Sequence, residues 1–356
     1  MKLSNIQSTI LDMLLNIIQE IPAIRLLNSQ VDVTDPGRNP VILVETDNGS
    51  FRLIVETRSN GQPRHAREAL AELIMKLGPS RENSYPIFAA PFISETTAEI
   101  CRQIGAGSMD FAGNCRLAFD GIYVERTGKP NRFVTKRSLL SLYRSRSSRI
   151  LRALLFDPQL KWRLSDLSQA AGVSIGQVFN VKKILIEREW ATFDKDGLQL
   201  IQPEKVIRDW GEQYELGRNR FFEFNISEIP SEIESGLTQY FSSKKPRYAF
   251  TSFSAYASFI PEAERKQVFA YIDTDDEADI KQTADRLNLK SVTSECNVSL
   301  LLPYDEGVFF GMREIEGQSV VSPVQAYLDL KGAGAVGAEA AEKIFREVIQ
   351  KEWLKR

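Results

Sequence analysis

Residues 164–201, "LSDLSQAAGVSIGQVFNVKKILIEREWATFDKDGLQLI", constrain the fold more tightly than any other stretch. The pattern predicts a helix from about Ser165 to Ala171 and a turn at Gly172. A second helix is opened by Ser174, with Gln177 three residues on at the capping-box spacing. Val178, Val181 and Leu185 fall on one face of that helix, and Gly176, Phe179, Asn180 and Lys183 on the other. A hairpin around Asp196-Gly197 follows. The segment before it, "SLLSLYRSRSSRILRALLFD", reads as a helix with Leu151, Leu154 and Leu155 inward and arginines outward.

The flank of this segment is strongly one-sided. Between Arg126 and Arg163 lie eleven cations against a single acid, Asp157. The whole chain of 356 residues carries a net charge of only −2, so any affinity for a polyanion must be local. Three cysteines without a CxxC spacing exclude a zinc ribbon or a disulfide framework and suit a reducing cytoplasm. His65 is the only histidine, which removes most Ser-His and Cys-His catalytic arrangements and argues against a histidine-ligated metal. The N-terminal "MKLSNIQSTILDMLLNIIQEIP" is an amphipathic helix with Ile10, Leu14, Ile17 and Ile18 on one side, and no apolar run reaches spanning length.

Residues from about 145 to 205 resemble winged helix-turn-helix DNA-binding domains. That resemblance implies that the outer face of the second helix enters a major groove. An amide from Asn180 or Gln177 would read adenine, Lys183 would meet guanine or phosphate, and Gly176 would allow close approach. Ser174, Phe179 and Lys182 border this face, and Lys182, Arg144, Arg146 and Arg149 are expected to hold phosphates.

Upstream, "VILVETD", Asn48-Gly49 and "SFRLIVETR" form a hairpin signal, followed by a helix over "RHAREALAELIMKL". A buried strand "YPIFAAPF", a helix from Ser94 to Gly105, and a strand–turn–strand over "SMDFAGNCRLAFDGIYVER" complete a compact domain. This order of elements resembles the PD-(D/E)XK restriction-endonuclease fold. Such a site needs an acid on one strand and an acid-x-Lys at the end of the next, to hold Mg²⁺ and orient water. Here Glu56 and Arg58 fill the second motif. An arginine shares its proton far less readily than a lysine and presents a planar fork. The preceding strand is apolar where the first acid is expected. Asp47 lies out at the turn, and Asp32 and Asp35 lie further back. No catalytic residue, metal or cofactor is therefore expected. Asp110, Asn114 and Arg116 are expected to line a polar turn rather than a core, either where a partner could be met or as an Asx-type turn that holds only itself.

Residues from about 220 to 356 alternate strand and helix. Asp273-x-Asp275 after a strand suggests a nucleotidyltransferase metal site, but "TSFSAYA" lacks the glycine such an enzyme needs. "GAGAVG" at 332–337 matches G-x-G-x-x-G, yet follows a helix and is expected to be a loop before the last helix. The phrases "YPIFAAPFISETTAEICRQIGAGSMDFAGNCRLAF", the helix-turn-helix, and "RYAFTSFSAYASFI", "NVSLLLPYDEGVFFG" and "VVSPVQAYLDLKG" together resemble AbiEi-type antitoxins of type IV toxin–antitoxin systems. That likeness implies an autorepressor that also antagonises a toxin, although a nuclease-like domain precedes the winged helix here. The expectation is an α/β (α+β) multidomain protein of the cytoplasm: a degenerate nuclease-like domain at 1–135, a winged helix-turn-helix at 136–215 and an α/β domain at 216–356. Its expected partners are double-stranded DNA, a cognate toxin protein and a second copy of the chain, with no membrane. A Mg²⁺-dependent nuclease guided by its winged helix, and an interaction scaffold that never meets DNA, are the alternatives.

Overall fold

Alternation along the strands places a helical layer on each face of an N-terminal sheet. The computed structural model describes residues 3–30, 39–78, 83–130, 142–242, 246–292 and 295–355. Asp32, Asp35, Arg132, Lys136 and Arg137 lie outside them. The chain divides into two compact units, residues 1–137 with 186–189, and residues 138–185 with 190–356. Among the described residues no helix is long and apolar enough to cross a membrane.

The first unit runs α1 (Leu3–Gln19), β1 (Arg25–Gln30), β2 (Val41–Thr46), β3 (Gly49–Thr57), α2 (Pro63–Leu77), β4 (Ser84–Ala90), α3 (Glu95–Ile104), β5 (Gly107–Asp110), β6 (Cys115–Phe119) and β7 (Ile122–Arg126). Its seven strands form one sheet in chain order. β3, β4 and β5 are parallel and the remaining pairs antiparallel. Ile10, Leu14 and Ile18 of α1 pack with Leu53, Val55, Ile87 and Met109. Ala66, Ala69 and Leu70 of α2, with Cys101 of α3, pack with Phe88 and Ala90. A strand covered on both faces can be apolar without a break, which is why residues 53–57 are buried throughout. Two features differ from the sequence reading. A strand, β1, precedes the hairpin. The expected strand–turn–strand is three strands, because Asp120 and Gly121 (φ 47 and 74) make a second tight turn.

The second unit begins with α4 (Ser145–Phe156), α5 (Leu164–Ala170), α6 (Ile175–Glu187), the hairpin β8 (Ala191–Asp194) and β9 (Gly197–Leu200), and α7 (Pro203–Glu212). There follow β10 (Arg220–Asn225), α8 (Pro230–Ser242), β11 (Tyr248–Phe250), α9 (Ser252–Phe259), β12 (Val268–Ile272), α10 (Glu277–Arg286), β13 (Lys290–Ser291), β14 (Val298–Leu302), β15 (Arg313–Ile315), β16 (Gln318–Val320), α11 (Pro323–Lys331), α12 (Gly334–Ile344) and a terminal helix to Lys355. The mixed seven-stranded sheet has the order β13-β10-β14-β12-β11-β16-β15. Val268, Ala270 and Ile272 point to a core with α8 and α10, whereas Tyr271 of the same strand points to the opposite core. That second core also contains Leu151, Leu154, Val178, Val181, Leu185 and Trp210. The helix-turn-helix and the sheet domain thus share one hydrophobic core, and no break in packing falls at residue 215. The fold class is mixed α and β, as expected from the sequence.

Candidate functional site

The helix-turn-helix holds α6 by its inner face. Val178, Val181 and Leu185 are buried in the core, while Gly176, Phe179, Asn180 and Lys183 are exposed. Gly172, at φ +60, supplies the left-handed turn between α5 and α6. The hairpin after α6 gains a third strand segment, because Trp162 and Leu198 exchange backbone hydrogen bonds of 2.8 Å each. A Cβ at Gly197 would lie 2.5 Å from the Trp162 carbonyl oxygen, so only glycine permits this pairing. Asp194 Oδ1 accepts from the backbone N–H of Asp196 and of Gly197, and Lys161 pairs with the Asp194 carboxylate at 2.7 Å.

Gly176 has a different character. A Cβ there would meet nothing closer than Ser174 Oγ at 4.0 Å. The fold leaves open space at this point of the exposed face, so packing does not demand a glycine there.

The cations near this face fall into two groups. Arg144 and Arg146 are exposed. Arg146 lines a cleft with Ser165, Gln169, Gly172 and Ser174, at the junction of the two helices. Arg149 lines the same cleft but is committed elsewhere. Its Nε and Nη2 grip Asp305 at 2.8–3.0 Å, and its Nη1 donates to Glu306 at 2.7 Å. Asp305 has only 4% of its side chain exposed, so this is a partly buried bidentate pair. The Asp305 carboxylate raises the Arg149 pKa above its ordinary value. Sequence reading placed Arg149 with the phosphate-holding arginines, because nothing local to it predicts acids more than 150 residues away.

Ser174 accepts from the Gln177 backbone N–H at 3.3 Å, but the reciprocal half of the capping box is absent. The Gln177 side chain instead donates to Ser147 Oγ at 2.6 Å and ties α6 to α4. It is a brace between helices rather than an outward amide. Lys182 lies 4.0 Å from the ring centroids of both Phe179 and Phe193, which clamps the helix to the hairpin.

Behind α4 lies a buried polar chain that sequence reading missed. Arg152 is 1% exposed. Its Nε and Nη2 donate to Gln325 Oε1 at 3.0 and 2.6 Å, its Nη1 to Ser148 Oγ at 2.9 Å, and it stacks over Trp210. Gln325 in turn donates to Asp329 Oδ1 at 2.9 Å. Asp329, fully buried, also accepts from Tyr214 (2.6 Å), Tyr271 (2.9 Å) and Thr251. Burial pushes the Asp329 carboxyl up against the pull of these donors.

In the first unit, Glu56 is the next-to-last residue of β3, on the α2 side of the sheet. It is 8% exposed. The β2–β3 register, with Val41 opposite Ile54, puts Asn39 opposite Glu56, and the Asn39 side chain pulls the Glu56 pKa down. Arg58 Nε lies 3.1 Å from Glu56, and its Nη2 lies 2.8 Å from Glu72. Burial raises the Glu56 pKa, while Arg58 and Asn39 pull against the rise. An amide rather than a second acid thus lies opposite Glu56. Among the described residues no group of three or more His, Cys, Asp or Glu side chains could hold a metal ion.

The Asp110 turn departs from expectation. Asp110 is fully buried, not at an open turn. Its carboxylate accepts from the backbone N–H groups of Ile93 (3.2 Å) and Asn114 (2.9 Å) and from the Asn114 amide (2.8 Å). Asn114 spends its other bonds on the Lys129 backbone. Arg116 pairs loosely with Glu125 at 3.7 Å and stacks on Tyr123. Asp110 and Asn114 are thus a latch that holds three segments of their own domain together. The other two motifs have structural accounts. Asp273 pairs with Arg247 at 2.8 Å. The expected "GAGAVG" loop is the start of α12, and Gly337 there is pressed against the Leu330 carbonyl oxygen, where a Cβ would approach to 2.2 Å.

No family model matches the chain. No curated protein matches it. Among solved structures, the complex of EndoMS with double-stranded DNA is similar over 28% of this chain and 43% of that one, at 16% identity and a TM-score of 0.20. The chain therefore spans less than half the length of that structure's chain, and a likeness so low carries no argument about fold or function.

Proposed function

We propose that α4 to β9 form a winged helix that binds double-stranded DNA, and that the protein is a sequence-specific DNA-binding regulator. The observation that carries this reading is the outer face of α6. It presents Asn180, Phe179 and Lys183 to solvent, with a glycine at 176 that the fold does not require. A small residue on a recognition helix allows its backbone to approach base edges, and an amide reads adenine bidentately. Arg146, exposed in the cleft beside Ser174, and Arg144, exposed at the start of α4, would neutralise phosphates. Residues 1–135 are read as a restriction-endonuclease-like domain without cleavage activity, because Asn39 replaces an acid and Arg58 a lysine. The likeness to AbiEi-type antitoxins makes autorepression and a toxin partner the corresponding physiological reading. Selection of genomic fragments by the purified protein, followed by fluorescence anisotropy at several salt concentrations, tests it. Selective binding that Asn180→Ala blurs by about 1–3 kcal/mol is expected. Binding that is equal for all sequences and untouched by Asn180→Ala would move the function to protein interaction.

A further inference from the structure

The exposed face of α6 is unusually apolar for a surface that must meet polar base edges. Ile175 and Phe179, one turn apart, are each 52% exposed, and Phe193 on the hairpin is 45% exposed. Ile175 and Phe179 form one row along the helix, beside the row of Gly176, Asn180 and Lys183. Lys182 sits against both the Phe179 and Phe193 rings, so the Phe179 ring is held in place before any ligand arrives. The charge around this row decides what it faces. The helix carries Lys182 and Lys183, with its one acid, Glu187, at the far end from Ile175, and the exposed Arg146 lines the cleft beside Ser174. An apolar row set among cations fits a polyanion that carries apolar groups of its own. In a major groove that group is the C5-methyl of thymine. G·C pairs offer donors and acceptors there, and covering these with a phenyl ring would leave them unpaired.

We infer that Phe179, with Ile175, reads thymine C5-methyl groups next to an adenine held by Asn180, so the preferred site carries thymines at the positions facing this row. The inference rests on the DNA-binding reading above and deepens it.

The test compares the duplex that the wild-type protein selects with the same duplex carrying deoxyuridine in place of thymine. Each contacted methyl lost should weaken wild-type binding by about fourfold. Phe179→Ala should bind the thymine duplex more weakly and lose the thymine–uracil difference, and Phe179→Leu should keep part of it. Phe179 is exposed, so these variants leave the core intact. Phe193→Ala removes the other ring from Lys182 and should leave the ratio unchanged. A ratio of one for the wild type, a full ratio retained by Phe179→Ala, a ratio lost equally in Phe193→Ala, or a selected site without thymine overturns the inference. In each of those cases a sequence preference that Asn180→Ala still blurs leaves the DNA-binding reading standing. A wild-type protein with no preferred sequence removes both.

Discussion

Asn39 lies opposite Glu56 across the β2–β3 pair and favours its ionised carboxylate. The pairing explains how a buried glutamate is tolerated at a strand exit: an amide donor and the Arg58 guanidinium offset the loss of water. It also sets a pH dependence. Burial holds the Glu56 pKa above the ordinary 4.5. Between 4.5 and the raised value the folded protein keeps a proton that the unfolded chain has released, so Glu56 lowers stability as pH rises through that window. Glu56→Gln lacks this titration. Its stability relative to wild type should therefore climb with pH over the window and then level off. Urea midpoints measured at half-unit steps from pH 4 upward read this directly, and a difference that is flat or falls with pH would refute it. The wild-type protein with Mg²⁺ or Mn²⁺ should leave plasmid DNA intact, and cleavage that disappears in Glu56→Ala would restore the nuclease reading.

Arg146 and Arg149 lie on the same helix but should behave as different kinds of residue. Arg146→Ala should weaken all DNA about equally and reduce the magnitude of the salt slope by about one unit. Arg149→Ala strands the nearly buried Asp305 carboxylate. It should cost about 2–4 kcal/mol of stability while leaving the salt slope unchanged. Thermal melts beside anisotropy titrations separate the two, and a change of slope in Arg149→Ala would return that arginine to the phosphates.

Gly176→Ala should raise stability by up to about 1 kcal/mol, because alanine is the better helix former and the added methyl meets nothing. The same change should lower affinity for the selected duplex, since the helix can no longer approach as closely. Gln177→Ala should show the opposite pattern to a base-reading residue: a modest loss of stability through the missing Ser147 bond, and equal weakening on all sequences. Chemical denaturation and binding to matched and mismatched duplexes check both.

The sequence made the local structure legible wherever the signal was local. The Asn48-Gly49 turn, the Ser94 cap with Gly105, and the Gly172 turn with its inward Val178, Val181 and Leu185 all appear where the residues imply them. What it could not show were bonds between distant segments. Arg149 looks like a surface cation in the sequence because Asp305 lies 156 residues away, and Asp110 looks exposed because the Ile93 N–H that it satisfies belongs to another loop. Asn39 escaped notice for a subtler reason. It stands two residues before the first paired residue of β2, and only the register places it across from Glu56.

Asp329 gathers four donors at a fully buried site, and removing it leaves the Tyr214, Tyr271 and Thr251 hydroxyls without this acceptor and the Gln325 amide with Tyr214 alone. Asp329→Ala should therefore destabilise the second unit by about 3–5 kcal/mol. Gln325→Leu should do comparable damage by stranding the Arg152 guanidinium. Because the chain of bonds runs from α11 to α4, the double variant should cost clearly less than the sum of the two single ones. Additive losses in denaturant midpoints would mean that the two ends are not coupled.

The cysteines offer a readout of the native state that needs no ligand. Cys101 and Cys115 are buried, and burial pushes both thiols up to about 12. Thiolate is the reactive form, so at pH 8 each should present on the order of one part in ten thousand as a nucleophile. Cys296, only partly buried, differs in access, although burial and the neighbouring Glu223 raise its pKa as well. Titration of the folded protein with a chromogenic disulfide at pH 8 should therefore release at most one equivalent, at Cys296, and three in denaturant. Rapid release of two or three equivalents from the folded protein would show that the first-unit core opens on the timescale of the assay.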